Sequence, residues 1–295
     1  MKKRIFVLLI IVTILFSAFN IIGGFAADDA AAKAALSYFA EFPDNHHVIS
    51  ASDLLSLVSQ GKQMVILDIR QPEDYAAGHV KGAINVPFGE AVAKNLEMIS
   101  NDLPVYVYCY TGQTSAQTTV LLTVAGKKAS SVQSGFNNGI MRVQNAASFI
   151  DNQAYPFSGE KYPVESAIQK AIDNYFSNMA QSKFPNFNVE PEELIDLVKK
   201  QDQTYTILSV RQAKDYQNGH IPGAMNIPFG KGMEQKFSSI PAGKPVIVYC
   251  YTGQTGSQTM AVLRLLGFDA YNLSGGMGRE GGSGWLGAGG AVVTK

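Results

Sequence analysis

The sequence predicts an α/β fold: two tandem domains, each a mainly parallel sheet flanked by helices. Two observations carry this prediction. First, short β-branched and aromatic runs, such as residues 105–108 and 246–249, read as strands buried on both faces. Each leads through a tight loop into a run of helical character, residues 116–124 and 257–266, ending at Gly126 and Gly267 as helix C-caps. Strands alternating with helices give a parallel sheet with crossover helices. Second, the pattern occurs twice. Residues 71–88 return as 212–229, and residues 107–114 return almost letter for letter as 248–255, both 141 positions on. A fixed spacing sustained over that length marks a duplicated domain.

The chain has 295 residues, room for two domains of ordinary size. Lysine plus arginine (24) balances aspartate plus glutamate (24), so there is no broad electrostatic footprint for nucleic acid. At 46% hydrophobic and 16% charged, the composition is that of a globular protein and not a disordered one.

Residues 1–26 read as a signal peptide. Met1, Lys2, Lys3 and Arg4 form a basic start, residues 5–19 are apolar, and Gly24, Phe25 and Ala26 offer small residues for cleavage after Ala26. Ile21 and Ile22 lengthen the apolar stretch, so an uncleaved N-terminal anchor is the alternative, although the apolar core is short for a span. Either way the body of the protein is expected outside the cytoplasm, touching a membrane only if the leader is retained.

The elements follow in order. Residues 30–39 are alanine-rich and helical, and His46 and His47 lie in a polar break with no third metal ligand nearby, which reads as an exposed loop. Ser50 to Asp53 cap a short helix over 54–58 that Gly61 ends. Residues 64–67 form a buried strand running into Asp68, Ile69 and Arg70. The first domain spans 30–150 and the second 163–295. Residues 151–162, with Pro156, Ser158 and Gly159, read as the linker. Repeats of this size are expected to have their own cores. The tail over 275–290 is more than half glycine and holds Trp285; it passes close to the second site with Trp285 packed at the domain edge, or is a bland surface tail.

The chemistry concentrates in the repeated loops, which carry the only two cysteines, Cys109 and Cys250. A strand, a loop and a helix place each sulfur at the carboxyl end of a strand, where ligands of open α/β sheets bind. Loop N–H groups and a helix N-terminus there favour the thiolate, and hence nucleophilic chemistry. The loop residues Tyr110, Thr111, Gly112, Gln113, Thr114 and Ser115, and Tyr251, Thr252, Gly253, Gln254, Thr255 and Gly256, are the candidates for holding an anionic sulfur species. Gly112 and Gly253 let the backbone turn its amides inward. Thr111, Thr114, Ser115, Thr252 and Thr255 either add hydroxyl donors or cap the helices. A disulfide is not expected, because equivalent positions keep each sulfur in its own loop, whereas bridging needs Cα atoms within about 7 Å.

Taken together, Asp68-x-Arg70, the acidic-Tyr-x-x-Gly-His-(Val/Ile)-x-Gly-Ala-x-Asn-(Val/Ile)-Pro segment, the Cys-x-x-Gly loop and Ser274-Gly275-Gly276 resemble the rhodanese family over nearly the whole mature chain. The resemblance implies sulfurtransferase chemistry with no metal and no cofactor. A cysteine takes sulfane sulfur from a small anionic donor such as thiosulfate, becomes a persulfide, and passes the sulfur to cyanide, a thiol or a protein acceptor. The reaction is thiol exchange in kind, and inward N–H groups stabilise the anionic intermediate. The alternative is a sulfur-binding relay protein with little turnover on free small acceptors. The related phosphatases end their loop in arginine, but Ser115 and Gly256 stand at that place here, which disfavours phosphate chemistry. The loops also lack the cation that some rhodaneses use for thiosulfate. Arg70 and Arg211 are expected to pair internally with Asp74 and Asp215 before guiding an anionic donor. His79 and His220 occur in the family as scaffold and not as bases. The copies differ where Asp68 becomes Ser209, and where the glycine-rich ending is replaced in the first copy by Ser134, Gly135, Phe136, Asn137 and Asn138.

Overall fold

In the first copy the chain runs through α1 (Ala30–Ala40), β1 (Val48–Ile49), α2 (Ala51–Ser59), β2 (Val65–Asp68), α3 (Pro72–Ala77), β3 (His79–Val80), β4 (Ala83–Asn85), α4 (Glu90–Lys94), β5 (Pro104–Tyr108), α5 (Gln113–Val124), β6 (Lys128–Val132) and β7 (Ile150–Asp151). The second copy repeats the plan as α6 (Ser166–Ala180), β8 (Asn188–Val189), α7 (Pro191–Lys199), β9 (Thr206–Ser209), α8 (Ala213–Asn218), β10 (Met225–Asn226), β11 (Val246–Tyr249), α9 (Gln254–Leu265), β12 (Ala270–Leu273) and α10 (Gly284–Gly287). This computed structural model describes residues 30–294. The expected signal peptide, residues 1–26, lies outside the described residues.

Each copy builds a five-stranded parallel sheet, ordered β1-β6-β5-β2-β4 in the first and β10-β9-β11-β12-β8 in the second. The α/β architecture expected from the sequence is the one observed. The cysteine-bearing strands β5 and β11 sit at the centre, and this explains their unbroken apolar sequences: Val105, Val107, Val246, Ile247 and Val248 are all fully buried. Their registers are equivalent, with Asp68 opposite Tyr108 and Ser209 opposite Tyr249, so each cysteine follows the last paired residue at the carboxyl edge.

Helices α5 and α9 begin three residues earlier than periodicity suggests. Gly112 (φ +96°) and Gly253 (φ +88°) take left-handed conformations as N-caps, so the helices start directly from the loop glycines. Ser50 caps α2 as expected, accepting from the Asp53 N–H at 3.0 Å.

The expectation of separate cores holds only in part: Leu54, Leu55, Ile66, Tyr108 and Ile140 form a cluster of the first copy's own, but the main core is shared. One buried apolar cluster runs from Phe39 in α1 through Val107 and Leu121 to Phe176, Val248 and Met260. Helices α5 and α9 pack on each other and are buried almost all round. The helix preceding each copy's sheet also crosses over. Phe39 of α1 meets Phe229 and Phe237 of the second copy at ring distances of 5.6 and 6.0 Å. In return Phe176 of α6 meets Phe88 of the first copy at 5.6 Å. Gln117 Nε2 donates to the Asn186 carbonyl and Gln258 Nε2 to the His46 carbonyl, so these contacts are reciprocal.

Segment 151–162 begins inside β7, which pairs antiparallel with β3, and continues along the first copy where the Tyr155 N–H donates to Tyr75 Oη at 3.1 Å. Of the two readings of the tail, the packed one holds. Trp285 is buried, its backbone N–H donates to the Gly276 carbonyl and its indole N–H to the Ala291 carbonyl, each at 2.9 Å.

Candidate active site

The two loops are near-copies in geometry. Cys109 and Cys250 are both free thiols and buried. Each sulfur accepts the N–H of the glycine three residues on, Gly112 to Cys109 Sγ and Gly253 to Cys250 Sγ, both at 3.1 Å. The left-handed turn at those glycines aims the amide back at the sulfur while opening the helix.

A second glycine, part of the ending that the sequence marks in each copy but with no role assigned to it there, forms the floor. Gly135 (φ +63°) and Gly276 (φ +61°) lie beneath the loops. A Cβ on Gly135 would stand 2.6 Å from the Cys109 carbonyl oxygen and 2.7 Å from the amide nitrogens of Thr111 and Gly112. The same holds at Gly276 against Cys250, Thr252 and Gly253. Phe136 N–H to the Cys109 carbonyl (2.7 Å) and Met277 N–H to the Cys250 carbonyl (2.8 Å) tie floor to loop. The first copy's departure from a glycine-rich ending therefore spares the position where a side chain cannot fit. The signal was present: Gly135 and Gly276 are 141 apart.

The copies differ at the sulfur. Ser115 Oγ lies 3.5 Å from Cys109 Sγ and 2.9 Å from Ser131 Oγ. In the second copy Gly256 replaces Ser115 and Asn272 replaces Ser131; a Cβ on Gly256 would fall 2.5 Å from Asn272 Oδ1. The larger amide occupies the space of the missing side chain, so Cys250 has no hydroxyl beside it. Among the described residues, Ser115 is the one hydroxyl seen in hydrogen-bond reach of either sulfur. Neither helix has a side-chain cap bond, so Thr111, Thr114, Thr252 and Thr255 do not cap them.

The expected pairing of Arg70 and Arg211 with Asp74 and Asp215 side chains is corrected. Arg70 is held by Asp68, Nη2 to Oδ2 at 2.6 Å and Nε to Oδ1 at 3.0 Å, and donates to the Gly78 carbonyl at 2.7 Å. Its guanidinium lies 3.7 Å from the centroid of the Phe136 ring. Arg211, facing Ser209 in place of a carboxylate, donates to the backbone carbonyls of Asp215 and Gly219, and its Nε has no partner. The Asp74 carboxylate instead accepts from Tyr110 Oη at 2.5 Å, and the Asp215 carboxylate from Tyr251 Oη. Sequence proximity favoured the arginines, but each arginine turns inward at the strand end while the tyrosine of the loop reaches the exposed start of the following helix. Burial and then the Asp74 bond hold the Tyr110 phenol above its ordinary pKa. Both arginines are buried, so neither guanidinium is open to an incoming anion.

His79 is fully buried, with Nδ1 2.7 Å from the Tyr75 carbonyl and Nε2 2.9 Å from the Gln153 carbonyl. His220 Nδ1 meets the Tyr216 carbonyl at 2.9 Å. Both bind backbone, His79 Nε2 also lies 3.2 Å from Asp151 Oδ1, and among the described residues no hydrogen bond is seen from either histidine to a cysteine. His46 is exposed as expected, but His47 is half-buried, stacked on Tyr38, and burial lowers its pKa.

Gln113 and Gln254, read as part of the sulfur-holding loops, point elsewhere. Each side chain leaves its own loop and enters the other copy, Gln113 reaching Asn272 and Gly275 and Gln254 reaching Ser131 and Ser134. Between the copies lies a cleft of about 490 Å³, bordered by Thr111 and Thr252 and by the carboxylates Glu190 and Glu192, with no basic residue in its lining.

Comparison with known proteins identifies the family. The family model "Rhodanese-like domain" matches residues 50–141 and again 190–279. The thiosulfate sulfurtransferase GlpE of Pseudomonas entomophila is 35% identical over 89 residues, 30% of this chain and 79% of that protein. A tRNA sulfurtransferase of Desulfurococcus amylolyticus is 31% identical over 97 residues, which are 32% of this chain but only 19% of that protein's length. Among solved structures, SseA of Escherichia coli, described with the 3-mercaptopyruvate sulfotransferases, aligns with 78% of this chain and 98% of its own at 18% identity and a TM-score of 0.35. The two stretches matched by the family model take in more than half of the chain and each contains one cysteine loop, so the chain belongs to the rhodanese family.

Proposed function

We propose that this protein is an extracytoplasmic sulfurtransferase that carries sulfane sulfur as a persulfide on Cys109 and Cys250. The observation that carries the reading is the paired cysteine geometry, in which each sulfur ends a central strand and accepts a glycine N–H at 3.1 Å. A thiolate so held attacks the sulfane sulfur of a donor such as thiosulfate. The donor's S–S bond breaks and its electron pair leaves with sulfite, giving an anionic persulfide. The acceptor's lone pair, from cyanide or a thiol, then attacks the terminal sulfur, and the cysteine thiolate returns. The inward N–H groups favour both anions. The basic and then apolar residues 1–19 support placing the body outside the cytoplasm; a mature N-terminus at Ala27 checks this.

The test is thiocyanate formation from thiosulfate and cyanide by the purified protein, by Cys109→Ala, by Cys250→Ala and by the double variant. We expect each single variant to retain activity and the double variant to lose it. Loss in one single variant assigns turnover to that copy alone. Activity that survives in the double variant refutes the reading.

One observation favours a second reading, a relay protein that passes its persulfide to a protein partner. The cleft between the loops carries Glu190 and Glu192 and no cation, which disfavours small dianions. A persulfide that forms at Cys109 or Cys250, detected by intact mass, but is released slowly to cyanide selects this reading.

A further inference from the structure

The contacts of Gln113 and Gln254 have the form of a reciprocal tie. Gln254 Oε1 accepts the Ser134 N–H at 3.2 Å, while its Nε2 donates to Ser131 Oγ at 2.9 Å and to the Val132 carbonyl at 3.2 Å. Ser134 immediately precedes Gly135, the floor of the Cys109 loop. In the other direction Gln113 Oε1 accepts the Gly275 N–H at 3.2 Å and Asn272 Nδ2 at 3.0 Å, and Gly275 immediately precedes Gly276, the floor of the Cys250 loop. The Gln113 amide also donates weakly to Thr111 Oγ1 of its own loop at 3.4 Å.

Each glutamine also lies against the glycine that serves the opposite sulfur. A Cβ on Gly112 would sit 3.1 Å from Gln254 Cδ, and one on Gly253 would sit 2.8 Å from Gln113 Cδ. The left-handed turn requires glycine at both places, and the bare backbone also admits the other copy's side chain. Gln254 thus touches both the glycine whose N–H meets Cys109 and the residue before the floor of that loop. Gln113 does the same for Cys250.

We propose that the two cysteine loops are coupled through these glutamines. Gln254 is a positioning residue for Cys109 and Gln113 for Cys250, so each copy sets how tightly the other's thiol is enclosed. The thiols are 2% and 1% exposed, so a reagent reaches them through local opening of the loop. Removing the tie should make the opposite loop open more often and leave the loop that carries the glutamine nearly unchanged.

The experiment is alkylation of the purified full-length chain by iodoacetamide, with the rate at each cysteine followed separately by peptide mass spectrometry. Gln113→Met keeps volume but removes the acceptor. It should speed labelling of Cys250 by about fivefold, the factor of the one neutral hydrogen bond made to the floor, that from the Gly275 N–H, with Cys109 within about twofold of wild type. Gln113→Glu retains both acceptor bonds and should restore the Cys250 rate. Gln254→Met should speed Cys109 in the same way. Acceleration of the thiol in the substituted loop, equal change at both thiols, no change, or failure of Gln113→Glu to rescue would each overturn the proposal. If Gln254→Met does not fold, the Gln113 pair decides alone. Alkylation requires no sulfur transfer, so the result stands whether or not the thiols carry persulfide.

Discussion

Replacing Gly135 with alanine probes the floor of the Cys109 loop at its tightest point. The residue sits at φ +63°, where an L side chain costs about 1–2 kcal/mol in backbone strain alone. The added Cβ would stand 2.6 Å from the Cys109 carbonyl oxygen and 2.7 Å from two loop amide nitrogens. All three are main-chain atoms of the loop, so no flexible side-chain tip can move away. Forcing main chain apart in a close-packed region adds about 1–3 kcal/mol. The expected loss is therefore about 2–5 kcal/mol. Gly61 supplies the control, because it has φ +60° and a Cβ placed there would meet no atom within 4 Å. Gly61→Ala should cost the backbone part only, about 1–2 kcal/mol. Urea unfolding followed by circular dichroism compares the two, and a persulfide-loading assay on Cys109 follows the loop itself. Gly135→Ala should be clearly the less stable variant and should lose loading at Cys109 while Cys250 retains it. Equal stability of the two variants, with loading at Cys109 intact, would refute the steric argument.

Ser209→Asp should stabilise the protein by about 1–2 kcal/mol, because it returns to the second copy the acceptor that the unpartnered Arg211 Nε lacks; a lower urea midpoint would contradict this. Phe39→Ala removes a fully buried ring set against Phe229 and Phe237 and should cost about 3–5 kcal/mol. Hydrogen exchange should rise around residues 229–240 of the second copy; a rise confined to the first copy would argue against the crossed helix. Burial holds the phenols of Tyr38, Tyr108 and Tyr175 above their ordinary pKa, so the folded state retains protons that the unfolded state releases. Their contribution is complete below the free-tyrosine pKa of about 10 and is lost as the pH rises beyond it. Phenolate absorbance should then appear together with loss of far-ultraviolet dichroism above about pH 10; ionisation of every tyrosine in an intact fold would contradict this.

Much of the fold could be read from the chain because its signals are local. Four consecutive apolar β-formers before each cysteine identify the central strands, and the shared 141-residue spacing fixes the equivalence of the copies. The cysteine loop was legible for the same reason. What could not be read depends on direction and on contacts between copies. The carboxylates of Asp74 and Asp68 are both close to Arg70 in sequence, but only the one at the strand end faces it, while Tyr110 takes the other. Gln113 and Gln254 belong to the loops by position and to the opposite copy by side chain. One neglected signal lay in α5, which has no charged residue from Gln113 to Val124. A helix on a solvated face would carry charged residues along one side, so their absence pointed to a covered helix and hence to the shared core.

The crossed helices bear on how such a chain arises. Phe39 with Phe229 and Phe176 with Phe88, Gln117 with Asn186 and Gln258 with His46, are the matched pairs of an isologous interface. Two separate copies of a single repeat, docked about a twofold axis, would make all of them. The present chain has the form of such a homodimer joined end to end. Joining replaces an encounter between molecules by an intramolecular docking step at high effective concentration. It also releases the halves from identity, since a substitution in a homodimer must be tolerated twice. Ser209 in place of Asp68, and the Gly256–Asn272 pair in place of Ser115–Ser131, are differences that a dimer of identical chains cannot hold. A chain of this form can therefore tune one thiol while the surroundings of the other stay as they are.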